Sequence, residues 1–162
     1  MPGLTELAAA LQDTAIATAL RQSFWVYPLV NAAHIVGLAL LFGAIVPLDL
    51  RLLGLWRKVP LAAMSRILLP VALAGLVLAV PTGALLFAVR ATEYAAMPLL
   101  WLKVALIAGA IANALLLRFS LAWTAHEHSE LAGTMPRLQV AGALSIGLWL
   151  AVIVAGRMIG YL

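Results

Sequence analysis

Three stretches of the chain carry no Asp, Glu, Lys or Arg: 22–48, 67–89 and 138–156. A fourth, 98–117, is interrupted only by Lys103. Each is close to the ~20 residues an α-helix needs to cross about 30 Å of hydrocarbon. None alternates apolar and polar with period two, which argues against a β-barrel. The pattern therefore predicts an all-α fold, a four-helix transmembrane bundle with spans at 25–49, 66–90, 98–120 and 137–160. The connections are short, so consecutive spans are expected to be antiparallel neighbours. The first 22 residues differ: Leu4, Leu7 and Leu11 recur at helical spacing, and Ile16 and Leu20 continue one side. Glu6 and Asp13 and the missing basic start argue against a cleaved signal. Residues 1–22 are thus predicted to form a short amphipathic helix on the membrane surface, ahead of the transmembrane domain at 23–162.

Composition sharpens this. Hydrophobic residues make up 65% and charged residues 10% of the 162-residue chain, against roughly 45–50% and about 25% in soluble domains. A mean hydropathy of +1.11 excludes a cytosolic enzyme, and the lipid bilayer is the expected surrounding. The net charge of +4 does not signal nucleic acid, because the basic residues are scattered between apolar runs. With no cysteine, disulfides, thiolate metal sites and Cys nucleophiles are out. No phosphate loop, serine elbow or paired carboxylates occur, so the reading leans away from an enzyme.

Orientation follows from basic residues near the span ends. Arg51, Arg57, Lys58, Arg66, Arg118 and Arg137 fall on one side; Arg21, Arg90, Lys103 and Arg157 fall on the other. The bias predicts both termini outside, on the periplasmic face of a bacterial inner membrane. Trp25, Tyr27, Tyr94, Trp101 and Tyr161 then mark the outer boundary, and Trp56 and Trp123 the inner one. Small residues mark candidate packing stripes: Gly75, Ala79 and Gly83 in the second span, Ala105 and Gly109 in the third, Gly147, Ala151 and Ala155 in the fourth. They suit packing within the bundle or against a partner, as a homo-oligomer or as part of a membrane complex.

Polar groups at membrane depth are candidate sites because each costs free energy unless paired or hydrated. His34 lies six residues inside Pro28, roughly 10 Å below the outer boundary, with Asn31 one turn earlier. Pro81 breaks the second span at similar depth, beside Thr82 and Gly83. Lys103, Arg157, Met97 and Met158 approach the same level. An imidazole, thioethers and cations together point to a cofactor: haem b through His34 with a Met as second axial ligand, or copper through His34, Met97 and Met158. Asn31, Thr82, Lys103, Arg157 and Met158 would line the cofactor. The structural alternative is a His34 that bonds between helices, a Lys103 that snorkels and an Arg157 that anchors the interface. At the inner boundary, Asp49 is expected to pair with Arg118 or Arg66, with Arg51 in the same polar layer. The sequence His126-Glu127-His128-Ser129-Glu130 has too few ligands on one face for a metal and suits a solvated loop. His126 also sits near the opposite boundary from His34, which disfavours a bis-His haem within one chain.

Several stretches, taken in order, resemble a family of small four-helix bacterial membrane proteins, domain of unknown function 6644. They are Tyr27-Pro28, Ala33-His34-Ile35-Val36-Gly37-Leu38-Ala39-Leu40, Leu48-Asp49-Leu50-Arg51-Leu52-Leu53-Gly54, Pro81-Thr82-Gly83-Ala84-Leu85-Leu86-Phe87, Trp101-Leu102-Lys103 and Ala155-Gly156-Arg157-Met158-Ile159-Gly160-Tyr161. The resemblance implies four spans, a bacterial inner membrane and no established activity. Its pattern includes His34, Asp49, Arg51, Thr82, Gly83, Lys103 and Arg157. Many members also carry a His late in the third span, where 113–118 has none. The leading expectation is a small membrane subunit that binds a redox cofactor or metal in its outer half and serves a periplasmic partner. The alternatives are a cofactor-free accessory subunit and an oligomeric channel or transporter component.

Overall fold

A computed structural model describes residues 2–121, 123 and 136–161; the His126–Glu130 motif lies outside them. Among these residues there are seven helices and no strand: α1 (Pro2–Gln12), α2 (Ala15–Gln22), α3 (Val26–Leu53), α4 (Leu61–Val89), α5 (Ala91–Ala95), α6 (Pro98–Arg118) and α7 (Pro136–Ile159). The helices α3, α4, α6 and α7 are each long and apolar enough to cross a membrane. The chain is an integral membrane protein.

Two spans run past the limits set by charge. α3 continues through Arg51 to Leu53 because Gly54 supplies the left-handed stop: at φ 109° it lets its own N–H bond the Arg51 carbonyl and the Leu55 N–H bond the Leu50 carbonyl, the Schellman closure. α4 begins at Leu61, directly after Pro60, and keeps the Arg66 side chain exposed. A charge at a span end can leave the bilayer by its long stem without ending the helix.

Buried positions on the spans advance by steps of three and four. On α3 they are Gly37, Leu41, Ala44, Leu48 and Leu52; on α4, Ala72, Gly75, Ala79 and Thr82; on α7, Leu138, Gly142, Ser145, Trp149 and Val152. Such seams let long helices stay in contact over their length. Close backbone approaches link α4 to α3, α3 to α7 and α7 to α6. α4 and α6, consecutive among the spans, are set apart by α5, and Trp149, Leu76, Leu106 and Ile107 contribute to the core between them. So the expectation that consecutive spans neighbour one another holds for α3/α4 and α6/α7 and fails for α4/α6.

The tightest crossing is α3 on α4. A Cβ built on Gly37 would sit 2.8 Å from the Ala79 backbone nitrogen, and one on Gly75 would sit 2.7 Å from the Gly37 carbonyl oxygen. The Gly75–Ala79–Gly83 stripe is therefore an internal contact. The fourth-span stripe is so only in part: Ala155 is buried, whereas Gly147 is exposed with nothing within 4 Å of a Cβ there. The face of α7 that packs is the one carrying Gly142, Ser145 and Trp149. On α6 the buried small residue is Ala110, and Ala105 is exposed.

The N-terminal segment is two helices, not one. Thr14 breaks it by adopting extended backbone, and its hydroxyl accepts the Ala17 N–H as an N-cap. Leu7 and Ile16 stay exposed while Ala17 and Leu20 are buried, as an interfacial position requires. The pair also docks on the end of the bundle where α4 gives way to α5. Gln12 Oε1 accepts from both the N–H and the hydroxyl of Thr92 at the start of α5, and Arg21 donates to the Val89 carbonyl that ends α4.

Candidate functional site

His34 belongs to the α3 seam, one step outward of Gly37, and its ring crosses to α4. Gly83 makes the crossing possible, since a Cβ there would lie 3.0 Å from the ring Cε1. Nδ1 is 2.9 Å from the Ala79 carbonyl oxygen and 3.1 Å from Thr82 Oγ1. The geometry fixes the proton. A carbonyl only accepts, and the Thr82 hydroxyl donates to the Leu78 carbonyl one turn back, at 2.6 Å, so Nδ1–H must be the donor to both oxygens. The neutral ring is then the Nδ1–H tautomer, and its lone pair stands on Nε2. No described residue bonds Nε2, and it is not among the buried unpartnered atoms, so it remains open. An imidazole held by Nδ1–H on a carbonyl, with Nε2 bare, is the arrangement that orients metal-ligating histidines.

Lys103 reaches the same neighbourhood from α6. Its stem runs over Gly156 of α7, where a Cβ would meet Nζ at 3.0 Å and Cε at 3.3 Å. Its charge is close enough to act on the His34 ring, and it has no hydrogen-bond or ion-pair partner among the described residues. Two glycines, Gly83 on α4 and Gly156 on α7, thus make room for two polar side chains, His34 and Lys103. Gly156 has no other evident reason to lack a side chain.

The remaining expected members are elsewhere. Asn31 is exposed: stepping back along the α3 seam from His34 leads to Val30, not Asn31. Arg157 is exposed and turns to Tyr161, its guanidinium carbon 4.4 Å from the ring centroid and Nη2 donating to the phenol oxygen at 2.5 Å. That is an interface anchor. Met158 is 47% exposed, and Met97 caps the start of α6. No contact brings either thioether to His34. Among the described residues no group of three His, Asp or Glu side chains gathers as metal ligands. Outside the spans, burial and the facing Tyr27 raise the Tyr94 phenol above its ordinary pKa, so it stays neutral across the physiological range. It stacks on Phe87 near the C-terminal end of α4.

The polar layer at the opposite end of the bundle, around Asp49 and Arg51, is built differently from expectation. Asp49 forms no ion pair with Arg66 or Arg118: Arg66 is exposed, and Arg118 lies 5.7 Å over the Trp123 ring. Asp49 faces α7, where Gly142 lets the two backbones approach. Arg51 is buried and donates from Nε to the Val59 carbonyl at 2.8 Å and from Nη2 to the Arg57 carbonyl at 3.2 Å. Its role, tying down the α3–α4 turn, carried no sequence signal beyond the nearness of that turn.

Thr82→Val tests the division of labour at His34. Nδ1 keeps its stronger acceptor, Ala79, so the expected stability loss is only about 0.6 kcal/mol, the average for a hydrogen bond between membrane helices. Unfolding in a denaturant series reads this directly.

No protein-family model matches the chain, and neither a curated protein nor a solved structure does so.

Proposed function

We propose that this is a small integral membrane subunit that holds a redox cofactor at His34 in its outer half. The observation that carries the reading is the fixed ring: Nδ1–H is committed to Ala79 and Thr82, which leaves the Nε2 lone pair as the ligand. Of the two cofactors with this chemistry, haem b fits the residues better. It needs one imidazole and tolerates an open or externally supplied second position, whereas Cu(I) requires the thioethers that Met97 and Met158 do not bring together. Lys103, unpartnered beside the ring, would neutralise a propionate. When bound, haem supplies one-electron transfer. The chain's own contribution is to orient His34, exclude a competing acceptor from Nδ1 and place a cation nearby. The second axial position would come from a second copy or a partner subunit.

The setting proposed with it is a bacterial inner membrane, with both termini and the docked α1–α2–α5 cluster on the periplasmic side, facing a periplasmic partner. Membership of the four-helix family that the sequence resembles belongs to the same proposal. It rests on the residues that pattern shares with this sequence, among them His34, Thr82, Gly83 and Lys103.

A second reading has its own support. His34 already joins α3 to α4 by hydrogen bonds, and Arg157, Met158 and Asn31 are turned away from it. A cofactor-free accessory subunit needs nothing more. Reduced-minus-oxidised visible spectra of the purified protein separate the two. The cofactor reading expects a haem band that His34→Ala abolishes while the protein still folds. The accessory reading expects no band in either protein, with His34→Ala lowering stability by about 1 kcal/mol through the lost interhelical bonds.

A further inference from the structure

Among the described residues, two buried side-chain atoms have no hydrogen-bond partner: Asp49 Oδ2 and Trp149 Nε1. They belong to facing helices, and both side chains are about 95% buried. Ser145, one turn before Trp149 on α7, is buried too and lies near enough to the Asp49 carboxyl to act on it. The helices are pressed together there, for a Cβ on Gly142 would stand 3.0 Å from the Asp49 carbonyl oxygen. Helical side chains lean toward the N-terminus of their own helix. α3 and α7 are antiparallel, so Asp49 leans outward and Trp149 leans inward, toward a common level. One orphan is an acceptor and the other a donor.

We propose that a single internal water molecule bridges Asp49, Ser145 and Trp149 in the α3–α7 interface. The chemistry of the two atoms selects the guest. It must accept from the indole N–H and donate to a carboxyl oxygen, which water does at once. A metal cation would satisfy Asp49 and be repelled by the indole proton. Three polar partners is the usual complement of a buried water, and leaving either atom bare in an apolar interior would be costly. The bridge makes Asp49 a hydrated anchor between α3 and α7 instead of half of an ion pair. It is independent of any cofactor at His34, some 15 residues away on α3.

Two measurements test this on the full chain in lipid. A density map at about 2 Å, the resolution at which ordered waters are seen, is expected to show a discrete peak within hydrogen-bond distance of Asp49 Oδ2 and Trp149 Nε1. A direct bond between the two atoms, or a continuous apolar contact with no peak, overturns the proposal. Thermal melting of Asp49→Leu, Trp149→Phe and the double variant supplies a second test. A shared guest predicts strong coupling, the double variant melting no lower than the worse single. Additive losses in melting temperature overturn it.

Discussion

Replacing Gly75 with valine is expected to disrupt the fold more than any other single change in the membrane-spanning region. The Gly75 Cα faces the backbone of Gly37 and Leu41, with a Cβ position 2.7 Å from the Gly37 carbonyl oxygen. Backbone atoms cannot rotate away as a side chain would, so the added methyls must drive α3 and α4 apart. Overpacking of this kind costs about 3 kcal/mol or more. It also pulls the Ala79 carbonyl, one turn along α4, away from His34 Nδ1. The expected result is loss of folded monomer in a detergent-stability assay, together with loss of any His34-dependent signal. Gly147→Val is the control: the same residue change on α7, where the space beside the glycine is open, is expected to leave stability unchanged. If both variants behave alike, the α3–α4 contact is not what holds the outer half together.

Arg51→Met carries the second large effect. The guanidinium is buried and makes two charge-assisted bonds to the carbonyls of Val59 and Arg57, in a turn that also holds Trp56 at positive φ. Bonds from a charged donor contribute about 1.5–3 kcal/mol each. Methionine keeps the length of the stem and removes the donors, so the expected loss is about 3 kcal/mol, with the 54–60 turn becoming the earliest site of protease cleavage. Wild-type cleavage kinetics in the variant would contradict the assignment.

How far the sequence shows this molecule depends on which physical rule decided each part. The four spans are legible because hydrocarbon admits only long uncharged helices, a coarse rule that charge-free runs obey. Their ends are less so, because snorkelling lets Arg66 sit inside α4 and Gly54, not a charge, stops α3. His34 and its acceptors on α4 are legible together: a polar residue at depth, a Gly-Ala-Gly stripe and a nearby threonine each had a reason to be there, and the three-and-four seam brings them into contact. Asn31 misses that seam by a single position, which a spacing of three residues does not reveal. Asp49 and Arg51 illustrate the opposite failure. A carboxylate and several cations at one depth invite an ion-pair reading of Asp49 with Arg66 or Arg118, yet Asp49 faces α7, Arg66 is exposed, Arg118 lies over Trp123, and Arg51 turns to the following loop. The small residues of α7 mislead for a similar reason. Gly147, Ala151 and Ala155 form a regular stripe, but only Ala155 of the three is buried, and the face that meets α3 carries Gly142, Ser145 and Trp149.

Both functional readings of His34 depend on its ring standing with Nδ1–H on the Ala79 carbonyl. The cofactor reading depends further on a bare Nε2. Nitrogen-15 NMR of histidine-labelled protein in lipid reports this directly, with His34→Gln identifying its signals among those of the chain's three histidines. The account predicts a neutral His34 with the proton on Nδ1, and an Nε2 signal that shifts on titration with haem while Nδ1 stays bonded. A proton found on Nε2, or an Nε2 signal indifferent to haem in a folded protein, would contradict it.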